Sequence, residues 1–253
     1  MNPRPIIVAV AAVALALAPA AAAATPQQVA DQIETNDAEL RQAVDAWWME
    51  AGDPPAGQAP ETVMTPALEL QETVRFLAKR RGLAENTIEL LPGRLRGQVR
   101  QFVAAAVKLR RLSGGGPPRK LKTGKPEPLS ELVGHYEKAS RLYGIGSHYL
   151  AAINLVETKF GRVKSVSTAG AKGPMQFIPS TWRIYGNGGN IRDPHDAILA
   201  AARLLKDRGA PGNYGRALYA YNPSGLYVDA VGRYAKVIAK DPYAMAFLYC
   251  WGP

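Results

Sequence analysis

The stretch from residue 154 to residue 182, NLVETKFGRVKSVSTAGAKGPMQFIPSTW, decides the fold because it joins the end of a helix to a glycine-rich loop. In and just before it, apolar side chains recur at three- or four-residue spacing, which predicts a helix over about Ser147 to Phe160. Glycines and a proline between residues 170 and 174 then interrupt any regular element. The spacing assigns to the buried face of the helix Tyr149, Ile153, Val156 and Phe160.

Glu157 is the one carboxylate in this stretch. No other Asp or Glu occurs from Thr158 to Arg192, whereas six Lys or Arg residues do. Glu157 lies at the border of the apolar face and near the helix C-terminus, where the helix dipole and partial burial both favour the neutral carboxyl. A carboxyl that is neutral near physiological pH can donate a proton to a glycosidic oxygen. The alternative is a surface acid paired with Lys159, Lys164 or another nearby base.

The loop after this helix offers groups suited to a carbohydrate. Gln176 presents a donor and an acceptor together, as a sugar hydroxyl or acetamido group requires. Its neighbours Met175 and Phe177 are typical either of ordinary core or of the apolar lining of a glycan cleft. Further on, the segment ALYAYN ends a predicted helix with Tyr221 and Asn222, and the asparagine is equally typical of a helix cap.

Helical signals dominate the rest of the chain, and no stretch alternates long enough to indicate a sheet. Three helices are predicted before residue 113: one over 26–50, one from a start at Thr65-Pro66 to a stop at Gly82, and one over about 95–112. The Gly-, Pro- and Lys-rich stretch 113–128 is interpreted as a linker. The sequence therefore predicts an all-α protein in two parts, a smaller helical region at 25–112 and a larger domain at 129–253.

Residues 1–24 have the three-part layout of an export signal. Arg4 precedes an apolar run over 6–18, and the small residues Ala22 and Ala24 precede the expected cleavage point. The run is shorter than the roughly 20 residues that span a bilayer, which favours an export signal over the alternative of a permanent single span. No second long apolar segment occurs, so we expect no transmembrane segment in the mature chain. The expected location is the periplasm, the cell wall or the outside of the cell. Cys250 is the one cysteine, which excludes an internal disulfide and leaves a free or intermolecular thiol or an apolar tail residue.

Four segments between about Tyr143 and Lys236 together resemble the lytic murein transglycosylases. They are INLVETKFG, STAGAKGPMQFIPSTW, DPHDAILAAARLL and ALYAYN, in that order. The resemblance is stronger to the branch with a connection like GGNIRDPHDAI than to the shortest members. It implies a lysozyme-like all-α catalytic domain at 129–253, preceded by the smaller helical region.

The resemblance also implies roles for individual residues. Glu157 would be the catalytic acid and base, Ser167 would orient the reacting sugar, and Gln176 would contact the substrate. Tyr221 and Asn222 would line the cleft. The expected substrate-binding residues are Thr158, Ser167, Met175, Gln176, Phe177, Tyr221 and Asn222.

Two positions depart from the family pattern. Thr158 stands where many relatives have a serine directly after the glutamate, and it keeps a hydroxyl. Pro174 replaces a leucine that is common elsewhere. Neither change removes a group that does chemistry, so the resemblance still implies activity.

The implied reaction needs only one carboxylate, whereas most glycosidases use two. The substrate's N-acetyl group would stabilise the developing cation at C1 and its C6 hydroxyl would attack, giving a 1,6-anhydro-MurNAc end without water. Alternatives are a hydrolytic muramidase or chitinase on the same fold, and a cell-wall glycan-binding protein without catalysis. A nucleic-acid binder has only the net charge of +10 in its favour, because no recognisable reading motif is present.

The expected partners are peptidoglycan glycan strands, with no nucleic acid. Between residues 91 and 125 the chain has ten Lys or Arg and no acid, so the basic segment Arg94–Lys125 is a candidate contact for anionic cell-wall polymers. A solvated helix face followed by a soluble linker is the alternative. No cofactor and no metal are expected, since Asn187, Asn190 and Asp193 offer too few acids for a hard cation.

Overall fold

The computed structural model describes residues 24–114 and 121–253. Within these two ranges the chain forms eleven α-helices and no strand beyond two isolated bridges, which confirms the all-α prediction. The predicted export signal lies outside the described residues except for Ala24. The helices are α1 (Pro26–Ala51), α2 (Glu61–Leu77), α3 (Arg81–Leu90), α4 (Gly93–Leu112), α5 (Leu129–Tyr143), α6 (Ser147–Thr158), α7 (Pro179–Tyr185), α8 (Pro194–Asp207), α9 (Tyr214–Tyr221), α10 (Gly225–Lys240) and α11 (Ala244–Tyr249).

Helix α1 begins at a capping box. The hydroxyl of Thr25 accepts a hydrogen bond from the backbone N–H of Gln28, and the side chain of Gln28 accepts one from the backbone N–H of Thr25. The helix then packs its apolar stripe against α2 and α3. The buried apolar residues of this stripe are those that the helical spacing predicts: Val29, Ile33, Leu40, Val44 and Trp47.

The prediction of one helix from Thr65-Pro66 to Gly82 was wrong. Helix α2 begins at Glu61 and ends at Leu77, with Pro66 inside it, and Gly82 is the second residue of α3. Pro66 has no N–H to donate within the helix, so one intrahelical hydrogen bond is missing there. The helix continues through this position because Pro66 belongs to its buried face, which packs against α1 and α4.

Helix α6 is the central helix of the second half of the chain. It ends at Thr158, two residues before the predicted end, and every residue from 150 to 155 is buried. Contacts with α5, α8 and α10 surround it, so the prediction of a single buried face was incomplete. Tyr149 and Val156, which the spacing assigns to that face, are only half-buried.

Helix α10 lies between the two halves of the chain, because it packs against both α4 and α6. Near the end of the chain, the ring of Trp251 meets that of Phe102 on α4 edge to face, with centroids 5.1 Å apart. The helices before and after residue 121 therefore share one continuous apolar core. The division at 112 and 129 into an N-terminal region and a catalytic domain stays a prediction.

An ionic cluster also ties α1 and α4 to the end of α10. Asp37 is buried and pairs with Arg41 and Arg94, and Arg41 pairs in turn with Asp241. Removing one partner of a buried pair leaves the other charge without compensation, so such a cluster fixes the helices relative to one another.

The described second half of the predicted linker is not a free spacer. The carbonyl of Lys122 accepts a hydrogen bond of 2.8 Å from the N–H of Lys164, and Thr123 forms an antiparallel bridge with Val163. Residues 121–128 therefore hold the segment that follows α6.

No helix in residues 24–114 or 121–253 is both long enough and apolar enough to cross a bilayer. Cys250 is buried, and burial raises the pKa of its thiol to about 12. Its environment is that of an apolar tail residue rather than of an accessible thiol.

Candidate active site

Glu157 stands in the last turn of α6, where its half-buried carboxyl accepts a hydrogen bond of 2.8 Å from the hydroxyl of Tyr227 on α10. Burial raises the pKa of Glu157 to about 7, and the bond from Tyr227 opposes this rise without cancelling it. The alternative pairing with Lys159 or Lys164 does not occur in the described chain. Near neutral pH the carboxyl therefore exists in both protonation states, as an acid that later becomes a base requires.

Two tyrosines form an aromatic wall beside this carboxyl. The rings of Tyr221 and Tyr227 are parallel to within 5°, with centroids 6.3 Å apart, and the ring of Phe177 meets Tyr221 edge-on. The hydroxyl of Tyr221 donates a bond of 2.6 Å to the carbonyl of Met175. Burial and the nearby charge of Glu157 raise the pKa of both tyrosines well above its ordinary value, so both hydroxyls remain neutral donors.

Thr158 fixes the glycine loop to the end of α6. Its side chain is fully buried, and its hydroxyl donates to the carbonyl of Pro174 at 2.5 Å and accepts from the N–H of Gly161 at 2.9 Å. These contacts favour a positioning role for Thr158 over the expected contact with substrate.

Asn154 is a site residue that the sequence reasoning missed. Its fully buried amide accepts from the hydroxyl of Tyr136 and donates to the carbonyl of Pro174 and the sulfur of Met175, at 3.0, 3.0 and 3.2 Å. The available signal was an amide in the middle of an apolar helix, because a buried polar side chain requires partners.

The chain reverses immediately after α6 through strained backbone. Lys159, Phe160 and Gly161 have φ values of 53°, 58° and 82°, in the left-handed region that a bulky residue such as phenylalanine seldom adopts. The backbone N–H of Val163 donates to the carbonyl of Thr158, and the side chain of Phe160 is buried in the core. This hydrogen bond and this packing stabilise the chain reversal. Strain of this kind accumulates at functional sites.

The loop after the reversal depends on Gly173. With φ at 75°, a Cβ on this residue would lie 1.8 Å from the carbonyl oxygen of Ile191, so only glycine fits. Gln176 also has a positive φ, 48°, and its side-chain N–H donates to the carbonyl of Gly173 at 3.0 Å. Described residues donate no hydrogen bond to the amide oxygen of Gln176, which leaves that acceptor for a ligand.

The other predicted site residues have different surroundings. The hydroxyl oxygen of Ser167 accepts from the N–H of Ala171 at 2.9 Å, inside a closed turn. Asn222 is the half-buried C-cap of α9. The side chains of Met175 and Phe177 are 0% and 3% exposed, which favours core packing over cleft lining for both.

A cluster of possible metal ligands lies at the start of α8, where Asp193, His195 and Asp196 have ligand atoms within 4.8 Å of one another. The sequence reasoning weighed only Asp193 among them. Asp193 caps α8 through the N–H of Asp196, and Asp196 accepts from the N–H of Asn190, so both carboxylates have structural partners. The nitrogen of Lys138 lies 2.9 Å from a ring nitrogen of His195 and adds positive charge. The expectation of no metal stays a prediction.

Residues 135–243, which carry Glu157 and the loop attached to it, match the family model described as Transglycosylase SLT domain. This part of the chain is a transglycosylase SLT domain. The match contains the whole span of about 143–236 over which the sequence resembles the lytic transglycosylases, and it confirms the lysozyme-like all-α prediction for this domain. Helices α1 to α4 lie before the SLT domain.

One curated relative is the membrane-bound lytic murein transglycosylase F of Thiobacillus denitrificans. It is 30% identical over 130 residues, a region that covers 48% of this chain and 27% of that protein. The chain thus matches about a quarter of the relative's length. No solved structure matches the chain significantly.

Proposed function

We propose that this protein cleaves the glycan strands of peptidoglycan without water, at the β-1,4 bond between MurNAc and GlcNAc, and leaves 1,6-anhydro-MurNAc ends. The observation that carries the proposal is the half-buried carboxyl of Glu157, whose pKa is raised to about 7 at the end of α6 inside the SLT domain. The name of the relative, a lytic murein transglycosylase, supports the same reaction class.

Glu157 acts twice in this reaction. Its carboxyl first gives its proton to the glycosidic oxygen as the bond from C1 to that oxygen breaks, while the acetamido group of MurNAc stabilises the positive charge at C1. The resulting carboxylate then takes the proton of the C6 hydroxyl as O6 bonds to C1. The proton returns to Glu157 and no water enters the balance.

A single acid supports this route over one with two carboxylates. Among the described residues, the pKa of Glu157 responds to burial and to Tyr227, and to no second acid. An attacking hydroxyl held on the sugar itself needs no base to position a water, because its reaction is intramolecular.

Other residues of the SLT domain take supporting roles in the proposal. Tyr227 orients the carboxyl of Glu157, and the free amide oxygen of Gln176 accepts from a sugar hydroxyl or amide. Ser167 and Asn222 contact the sugar, and Tyr221 forms the cleft wall.

Export and wall binding belong to the same proposal. Residues 1–24 direct the chain out of the cytoplasm, where peptidoglycan is accessible. In the basic segment Arg94–Lys125, several bases pair with acids and are less available to an anionic polymer. The paired bases are Arg94, Arg96, Arg100 and Lys108. Described bases of the segment without an ion pair are Arg110, Arg111, Lys122 and Lys125.

The test is digestion of purified peptidoglycan, followed by mass spectrometry of the fragments. Anhydro ends are expected, whereas reducing ends, each heavier by one water, would identify a hydrolase. Glu157→Gln is expected to lower the rate by about a thousandfold or more, as loss of an essential acid does. Binding to the wall without any cleavage by the wild type would identify a glycan-binding protein instead.

A further inference from the structure

A groove of about 710 Å³ lies between α2, α4 and the last residues of the described chain. Most of its wall is apolar, with Val74, Leu109 and Tyr234 among the lining residues. No Asp or Glu side chain contributes to the lining, which also includes Pro253, whereas four cations do: Arg75, Lys79, Arg110 and Lys159.

These four cations have no ion-pair partner within residues 24–114 and 121–253. Arg75 donates to the carbonyl of Gly252 at 3.1 Å, which is a neutral acceptor. Nearby bases differ from them, since Arg100 pairs with Glu89 and Lys108 pairs with Asp229. Arg75, Lys79 and Arg110 are exposed, and Lys159 is half-buried. The groove therefore concentrates positive charge that no Asp or Glu of the described chain pairs with.

Lys159 is the cation of the groove whose positive charge is least stabilised by solvent. It occupies the left-handed C-cap of α6 and its side chain is half-buried. Burial, and then the charge of Arg75, lower the pKa of its amine to about 8. A desolvated ammonium beside another cation gains stability from any anion that reaches it.

Trp251 also lines the groove. Its side chain is 2% exposed, and its indole N–H has no acceptor among the described residues. A buried donor without an acceptor is uncommon in folded proteins, because the loss of its hydrogen bonds to water is not compensated.

We propose that this groove is a second ligand site that binds a phosphate group. Guanidinium groups of Arg75 and Arg110 suit paired phosphate oxygens, and the lysine amines act as point charges. The apolar wall accepts the rest of a phosphate-bearing ligand, either a soluble phosphate compound or a phospholipid headgroup.

The site is separate from the catalytic carboxyl and goes beyond the proposed function. Neither Glu157 nor Tyr227 lines the groove, and Tyr234, which does, lies seven positions after Tyr227 on α10, about 10 Å along the helix. Lys159 is the groove residue nearest to Glu157 in the chain, two positions after it at the C-cap of α6. The Glu157→Gln variant is therefore expected to bind phosphate like the wild type. The binding test can then fail or succeed independently of the glycan-cleavage assay.

The test measures pyrophosphate binding by calorimetry and by the shift in melting temperature, on the exported chain with nothing added after Pro253. We expect Arg75→Gln and Lys159→Met each to weaken binding about tenfold or more. The matched control is Lys236→Met, an exposed lysine on α10 outside the groove, which should bind like the wild type. No binding by the wild type, or equal binding by all four proteins, would overturn the proposal.

Sulfate provides a pH test because its charge is constant between about pH 6.5 and about pH 9.5. Lys159 is charged below its pKa, so sulfate binding should weaken as the pH rises through about 8, and this dependence should vanish in Lys159→Met. Arg75, Lys79, Arg110 and Tyr234 line the groove with Lys159, and burial raises the pKa of Tyr234 so that it stays neutral in this range. Glu157, two residues before Lys159, has a pKa of about 7, so the comparison is made between about pH 7.5 and about pH 9. A pH dependence unchanged in Lys159→Met would contradict the assignment.

Vesicles distinguish the two sources of phosphate. Binding to phosphatidylglycerol vesicles but not to phosphatidylcholine vesicles, and its loss in Lys159→Met, would identify a lipid headgroup. Pyrophosphate binding without vesicle binding would identify a soluble phosphate ligand. Equal vesicle binding by the wild type and Lys159→Met, together with equal pyrophosphate binding, would count against the groove.

Discussion

The hydroxyl of Tyr227 on α10 donates a hydrogen bond of 2.8 Å to Oε1 of Glu157 at the end of α6. This bond joins two positions that are 70 residues apart in the chain. It stabilises the charged carboxylate, whereas burial stabilises the neutral acid, and burial has the larger effect. The pKa of about 7 is the balance of the two.

Tyr227→Phe removes the effect that lowers the pKa of Glu157. The pKa should rise by up to about one unit, so the alkaline limb of the profile of kcat/KM against pH should move to higher pH. The measurement is glycan cleavage across that range. Tyr219→Phe, on the exposed face of α9, is the control and should leave the limb in place. A limb that moves to lower pH would show that Tyr227 does not stabilise the carboxylate.

Glu157→Gln should alter the dependence of stability on pH. The carboxyl has an ordinary pKa of 4.5 and a folded pKa of about 7. Between these values the folded state binds more protons than the unfolded state, so the stability of the wild type falls as the pH rises from about 4.5 to about 7. Glutamine takes up no proton, so the variant should exceed the wild type by about 1–3 kcal/mol in unfolding free energy at about pH 8, and match it at about pH 4.

Urea unfolding at several pH values measures this difference, with Glu72→Gln as the control. Glu72 is exposed, so its substitution should produce no comparable change with pH. A constant difference between Glu157→Gln and the wild type at all pH values would contradict the raised pKa.

Thr158→Val should loosen the attachment of the glycine loop to α6. The variant keeps the shape of the side chain but loses its bonds to Pro174 and Gly161, in a position without access to water. We expect a loss of about 1–3 kcal/mol in unfolding free energy and a lower kcat. Thr158→Ser keeps the hydroxyl and should retain most of the activity. Equal kcat for the valine variant and the wild type would exclude the positioning role.

Gly173→Ala should disrupt the loop, because the added methyl group overlaps the carbonyl of Ile191 and the backbone has a positive φ. We expect a loss of more than about 2 kcal/mol in stability and a large loss of activity. Gly134→Ala, in α5, is the matched control, since nothing lies near the added methyl group and alanine favours the helix by about 0.5–1 kcal/mol. Thermal unfolding of both variants gives the comparison, and equal changes in their melting temperatures would contradict the clash predicted at Gly173.

Much of the fold could be predicted from the sequence because it follows from local patterns. The stripe of α1 from Val29 to Trp47 depends on residues within a few positions of one another. The placement of Glu157 in the last turn of a partly buried helix followed in the same way. Local patterns failed for α2, where Pro66 indicated a helix start but lies inside a helix stabilised by tertiary packing.

The sequence by itself determined the all-α class, most of the helices, the isolated acid and the order of segments that matches an SLT domain. Only the tertiary structure brings Tyr227 to Glu157 and Asn154 to the glycine loop, buries Met175 and Phe177, and places Lys159 in a cationic groove. The physical reason is one of range. Helical periodicity is written in neighbouring residues, whereas desolvation, hydrogen-bond partners and uncompensated charge arise only when distant helices pack together.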